Sequence, residues 1–334
     1  MTRFGILGFG HHAVRRLMPG FNGAGAAKLT ALWRRDQAQA EANAREFSIP
    51  HVFNTPAELC ASPEIDAVFV ASPDALHLEH VLLAAKHGKH VLCEKPLAMN
   101  ADEVRQMLAA AERANVKLGV AQNMRYNRSL AVMRGWIEEG RIGKPQLAQA
   151  QFAYSAEGSP RKWIYDPTLA LGGPIGDVGI HCIDALRYIL GGDGSNRVTA
   201  VATLAHTDSS SGPVESHAVV GLDFASGAMG SVTVTTRCAY RTLVEVTGED
   251  SVIRCENGLT VDFPADVIHS RGSDVLCRET VSNPDAYSRM LDGFAAWIEG
   301  SAEYLAPAQD GLHNQQVLDA AYQSWRKSAR VSVD

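Results

Sequence analysis

The chain has 334 residues, which at roughly 150 residues per domain predicts two domains, or one with a large elaboration, and ample core. Hydrophobic residues at 46% and charged residues at 20% exclude global disorder. With 31 basic against 37 acidic residues the net charge is −6 and no basic block occurs, so nucleic acid is not an expected partner. No apolar run is long enough to span a bilayer and the amino terminus lacks a signal-peptide core, so no membrane is expected and the expected location is the cytoplasm. Cys60, Cys93, Cys182, Cys238, Cys255 and Cys277 are scattered without a CxxC pair, as reduced thiols are.

Phe4-Gly5-Ile6-Leu7 is a buried-strand run, and a helical pattern follows from about His12 to Phe21. Leu29–Trp33 is the next strand, then Asp36 and an alanine-rich helix to about Phe47. Ala67–Ala71 is a third strand, a helix lies near Leu76–His87, and His90–Cys93 is a fourth strand. A long helix over about Ala101–Asn115 leads to the strand Lys117–Val120. Strands apolar on both faces and separated by helices predict βαβ units in a doubly wound parallel sheet.

Beyond about residue 145 the pattern changes. Gln146–Tyr154, Val198–His206, Ser216–Phe224, Gly230–Thr236, Leu243–Thr247 and Ser251–Cys255 follow one another, several across turns such as Ala225-Ser226-Gly227. Val232 and Val234 alternate with Ser231, Thr233 and Thr235, which predicts an antiparallel sheet with one buried face. Asp310–Arg330 is an amphipathic helix. The fold class is therefore α/β plus α+β, with domains over 1–122 and 123–305 and a C-terminal helix region, 306–334, packing back toward the first domain.

Gly8-Phe9-Gly10-His11-His12-Ala13 directly follows the first strand and opens the first helix. In this GxGxxA pattern Gly8 permits the tight turn, Gly10 lets a pyrophosphate approach the backbone, and Ala13 lets the helix pack closely. The plain alternative is a simple turn. Gly8, Phe9, Gly10, His11 and His12 are thus candidate cofactor contacts, at a helix N-terminus that offers N–H groups to phosphate. At the end of the second strand stand Arg34 and Arg35. A guanidinium there grips a ribose 2′-phosphate, which a carboxylate would repel, so NADP(H) is preferred and NAD(H) is the second choice. Asp36 is either a competing ribose ligand or a helix N-cap; Arg34 read plainly is a solvated charge.

Two further constellations carry chemistry. Val91-Leu92-Cys93-Glu94-Lys95-Pro96 ends a buried strand, where open α/β sheets bind ligands. Lys95 there can polarise a carbonyl or exchange a proton, or it can form an ion pair with Glu94; Pro96 fixes the turn, as a cis peptide or otherwise. In Gly172-Gly173-Pro174-Ile175-Gly176-Asp177-Val178-Gly179-Ile180-His181, glycines and a proline lead into a helix with Asp177 and His181 four apart on one face. An imidazole beside a carboxylate is an acid/base near neutral pH. The pair could also ligate a metal, but no further His or Cys cluster completes a site, so no metal is expected. Asp184 is expected to partner Arg187.

These residues, together with Ser72-Pro73-Asp74-Ala75-Leu76-His77 and Gly88-Lys89-His90, resemble the Gfo/Idh/MocA oxidoreductase family along essentially the whole chain. The resemblance implies an N-terminal Rossmann domain, a C-terminal domain on an open, mostly antiparallel sheet, nicotinamide redox chemistry on sugars, polyols or related hydroxy compounds, and a homodimer or homotetramer. It implies Lys95 and His181 as the catalytic pair, with Asp177 holding substrate or orienting the site. Ser72, Pro73 and His77 would border the cofactor and Glu94 the nicotinamide ribose. Some members carry Tyr in place of His181. Candidate substrate contacts are Arg125 and Tyr126 after a strand end, and Arg161 and Trp163 in the long loop Tyr154–Pro174; Trp163 is equally well a packing residue. Two rival readings are a cofactor-dependent glycoside hydrolase of the same family and a non-enzymatic NADP(H)-sensing regulator, which would have little need of Lys95 and His181.

Overall fold

The computed structural model describes residues 1–191, 196–208 and 212–333. They form two compact units, the first made of Met1–Gln122 with Tyr287–Leu312 and the second of Asn123–Ala286 with His313–Asp334. Among the described residues no helix is long and apolar enough to cross a membrane.

The first unit alternates β1 (Thr2–Leu7), α1 (Met18–Gly23), β2 (Ala27–Trp33), α2 (Gln37–Phe47), β3 (His51–Val52), α3 (Pro56–Ala61), β4 (Ala67–Val70), α4 (His77–Lys86), β5 (His90–Cys93), α5 (Ala101–Ala114) and β6 (Leu118–Val120). The strands pair in parallel in the order β3-β2-β1-β4-β5-β6, a doubly wound Rossmann-type sheet. β4 is Ala-Val-Phe-Val and every residue is buried, as a strand covered on both faces requires. Local chemistry sets the helix ends: Asp36, Thr55 and Asn100 accept the amides of Gln39, Glu58 and Glu103, and Ser48 and Asn115 close α2 and α5 in left-handed conformations. The β6 edge is covered within the same unit, where Val120 N donates to Ala306 O at 2.9 Å.

In the second unit come α6 (Arg128–Glu138), β7 (Pro145–Ser155), α7 (Ile180–Ile189), β8 (Val198–His206), β9 (His217–Phe224), β10 (Met229–Thr235), β11 (Arg237–Gly248), β12 (Val252–Glu256), β13 (Ala265–Arg271) and β14 (Asp274–Val281). After α8 (Ala286–Ile298) and α9 (Ala308–Lys327), β15 (Val331–Ser332) returns to this sheet. Among the described residues the nine strands run β14-β13-β12-β11-β7-β10-β9-β8-β15, antiparallel except for the parallel β7–β10 pair. α6, α7 and α9 bury one face through residues such as Leu130, Ile183 and Leu318. On the other face Leu147 pairs with Met229 and Val219 with Leu204, and all four are exposed, Leu204 by 79%.

The strands after Cys255 are not foreseen from the sequence. β14 is an edge strand with no fully buried residue, so no apolar alternation marks it. The C-terminal helix region also divides differently from the expected 306–334. Ala308 lies in the core of the first unit, whereas α9 from His313 on belongs to the second, with Val317, Leu318 and Ala321 in that unit's core.

Candidate active site

Gly8 has φ +89°, and a Cβ there would come 2.6 Å from Ser72 N, so only glycine fits between the first turn and the end of β4. Gly8 N and Phe9 N both donate to Trp33 O, at 3.1 and 3.0 Å, which ties the turn to the end of β2. A Cβ on Gly10 would meet nothing nearer than Gly8 O at 3.8 Å, so its outer side is open to a ligand. The Phe9 side chain is fully buried against Phe47, so it belongs to the core and this position offers a ligand only backbone. His11 is exposed and His12 half-buried. The first helix opens with a π-helical turn, Ala13–Leu17, a local widening that recurs at functional sites. This loop, with glycines where a Cβ would intrude and amides at a helix start, fits a dinucleotide pyrophosphate.

At the end of β2, Asp36 Oδ1 accepts Gln39 N at 3.0 Å and serves as the N-cap of α2. Arg34 Nη1 donates to Asn43 Oδ1 at 3.0 Å, which anchors one arm of its guanidinium beside the strand end, and Arg35 is exposed.

At the end of β5 the Lys95–Pro96 peptide is cis. Glu94 is buried; His12 Nε2 lies 2.9 Å from its Oε1, and Lys95 N donates to its Oε2 at 3.3 Å. The phosphate-loop helix and the Glu-Lys-Pro turn are thus joined through one carboxylate, while Lys95 stays half-buried. Ser72 Oγ lies 2.9 Å from His80 Nδ1. His77, expected at the cofactor, has no exposed surface and both its ring nitrogens face backbone oxygens, so it belongs to the framework behind the site.

In the second unit Asp177 lies in another π-helical turn, Ile175–Gly179, which runs into α7 and His181. Arg161 grips its carboxylate with both terminal nitrogens, Nη1–Oδ1 at 3.1 Å and Nη2–Oδ2 at 3.2 Å. The Tyr154 hydroxyl donates to Oδ2 as well. Burial and then the Asp177 charge push the Tyr154 hydroxyl far above its ordinary pKa, and the Asp177 charge raises that of Arg161. The His181 ring stacks on Phe152, centroids 6.3 Å apart. Trp163 is half-buried on the single turn Lys162–Tyr165.

Arg125 is not disposed toward a ligand. Its Nε and Nη2 engage Asp184, Nη2–Oδ1 at 2.5 Å, in an ion pair whose members are 7% and 1% exposed. Asp184 therefore pairs with Arg125 and not with Arg187, whose Nη1 donates to Asn314 Oδ1; Asn314 in turn donates to Asp184. Tyr126 is buried in the same turn as Arg125.

Residues 2–122 match the model of an oxidoreductase family with an NAD-binding Rossmann fold, and residues 130–254 match the Gfo/Idh/MocA C-terminal domain. The chain belongs to the Gfo/Idh/MocA oxidoreductase family. It is 31% identical over 314 residues to 1,5-anhydro-D-fructose reductase of Ensifer adhaerens, covering 93% of this chain and 92% of that one. D-xylose 1-dehydrogenase (NADP+) 2 of Haloferax volcanii is 28% identical, with 99% of each chain covered. Among solved structures, aldose-aldose oxidoreductase from Caulobacter crescentus complexed with glycerol superposes with a TM-score of 0.90 at 26% identity, over 99% of both chains. The protein is thus an oxidoreductase enzyme with an NAD(P)-binding fold.

Two residues that shape this oxidoreductase's Asp177 turn have no local sequence signal. Glu215, 1% exposed, accepts Gly173 N and Ile175 N, each at 2.9 Å, and the hydroxyl of Tyr322 at 2.9 Å. That hydroxyl accepts Gly176 N at 3.1 Å. The glycines are required: a Cβ on Gly173 would lie 1.9 Å from Glu215 O, and one on Gly172 2.0 Å from Tyr322 Oη. Tyr154 was discernible, since alternation along its strand puts it on the same face as Phe152.

Proposed function

We propose that the protein is an NADP(H)-preferring oxidoreductase, with NAD(H) as a weaker alternative, acting on a hydroxyl or carbonyl carbon of a sugar, polyol or related hydroxy compound. The cofactor preference is carried by the end of β2. There Asp36 is engaged at Gln39 N, and Arg34 is braced by Asn43. A braced guanidinium suits a 2′-phosphate, which an acidic strand end would repel. The D-xylose dehydrogenase among the relatives is named for NADP+, which agrees with this reading.

When bound, the nicotinamide supplies or accepts hydride. His181 removes the hydroxyl proton during oxidation and returns it during reduction, and Lys95 stabilises negative charge on that oxygen. Asp177, fixed by Arg161 and Tyr154, orients the reacting group and accepts hydrogen bonds from substrate hydroxyls. The sugar or polyol class follows the names of the anhydrofructose, xylose and aldose relatives. The exposed Leu147, Leu204, Val219 and Met229 suit a homodimer or homotetramer that covers this sheet face. The scattered cysteines, with no CxxC pair, suit a reducing compartment such as the cytoplasm.

Titration with NADPH and NADH, followed by nicotinamide fluorescence, tests the cofactor reading. NADPH should bind about tenfold or more tightly than NADH, and Arg34→Asp should reverse the order. Tighter NADH binding by the wild type would overturn the role of Arg34.

A further inference from the structure

His77, the first residue of α4, has no exposed surface. Its Nε2 lies 2.9 Å from Ser72 O and its Nδ1 lies 3.0 Å from Pro96 O. A carbonyl oxygen can only accept, and a neutral imidazole carries one N–H. With a single ring proton, one of these contacts would set two lone pairs against each other where no water reaches. With both nitrogens protonated, each contact becomes a charge-assisted hydrogen bond. We propose that His77 is a buried imidazolium that fastens the end of β4 to the Glu-Lys-Pro turn and, by holding Pro96, positions Lys95.

The surroundings favour that charge. Asp74, three residues before His77, and Glu94, two before Pro96, are buried carboxylates on the two segments that the ring joins. Their reach into this region shows at Cys93, whose thiol is pushed up first by burial and then by Glu94 and Asp74. On α4 itself the neighbouring titratable group is His80, which burial and then the charge of His77 lower to about 4, so His80 is the neutral partner of Ser72 Oγ. The opposing charge nearby is Lys95, on the turn being held. Ser72 also backs the phosphate loop, since a Cβ on Gly8 would meet its amide. One doubly donating ring therefore joins the elements that carry the loop and the lysine.

The protonation state follows from this geometry alone; the consequence for Lys95 rests on the redox reading above. The state is read from two-dimensional 1H–15N multiple-bond spectra of the full-length protein labelled with 15N-histidine, at neutral pH. His77 is assigned by its absence in His77→Gln or, if that variant does not fold, by through-bond connection to the α4 amides. Both ring nitrogens of His77 should give shifts of the protonated type, while His80 shows one protonated and one bare nitrogen. A bare nitrogen on His77 overturns the proposal.

For the positioning role, His77→Gln should lower kcat about tenfold or more, with the Kd for NADPH and the substrate KM within about threefold of wild type. An unchanged kcat would remove that role and leave the imidazolium standing. A wild-type protein that turns over no substrate would instead count against the redox reading.

Discussion

Arg161 holds both oxygens of Asp177, with Nη1–Oδ1 at 3.1 Å and Nη2–Oδ2 at 3.2 Å, so this carboxylate is a fixed anion with a defined direction. Arg161→Ala removes the two-pronged contact from a carboxylate that is 13% exposed. The expected loss is about 1–3 kcal/mol of stability and about 10–100-fold in kcat/KM. Arg161→Lys should recover only part of the activity, because one ammonium cannot match the two-pronged contact. Steady-state kinetics with urea unfolding checks this; a lysine variant equal to wild type would contradict it.

Glu215 acts at the start of the same helix. Glu215→Gln puts an amide N–H₂ against at least one of the donors from Gly173, Ile175 and Tyr322. We expect a loss of about 1–3 kcal/mol, together with a fall in kcat as the turn carrying Asp177 loosens. Tyr322→Phe removes one hydrogen bond to Glu215 and the acceptor of Gly176 N, and should show a smaller version of both effects. Denaturant unfolding and kcat on the two variants make the comparison.

The parallel half of the fold is legible because each element follows from local chemistry. Buried runs such as Ala67–Val70 and the Asp36 cap of α2 are fixed by neighbours within a few positions. The phosphate loop is legible for the same reason, since Gly8 meets a steric demand of the turn itself. What escaped was long-range. Glu215 lies 42 residues from Gly173 along the chain, and Asp184 finds Arg125 at a separation of 59 rather than its near neighbour Arg187. A helical spacing shows which residues share a face but not what packs against it. His77 illustrates the limit: its place in the motif is visible, whereas its burial between two carbonyls is a property of the folded sheet end.

His80 gives a pH dependence with a definite sign. Its folded pKa is lowered to about 4 by burial and then by the charge of His77, against an ordinary value of 6.5. A histidine depressed in the folded state contributes stability above its unfolded pKa and loses it as pH falls toward the folded one. Acidification from 6.5 to about 4 should therefore remove up to about 3 kcal/mol through this residue. His80→Gln should flatten that part of the stability–pH curve, measured by denaturant unfolding at stepped pH. An unaltered slope in the variant would contradict the assignment.

The most direct test of the reaction is deuterium transfer. The protein is incubated with NADPH deuterated at the transferable C4 position and a panel of aldoses, ketoses and keto-sugars, and the products are weighed by mass spectrometry. The expected result is one deuterium on a new carbinol carbon with stoichiometric loss of NADPH, and near-complete loss of transfer in Lys95→Ala with NADPH binding retained. Release of a sugar from a glycoside without net change in NADPH, or transfer undiminished in Lys95→Ala, would contradict it.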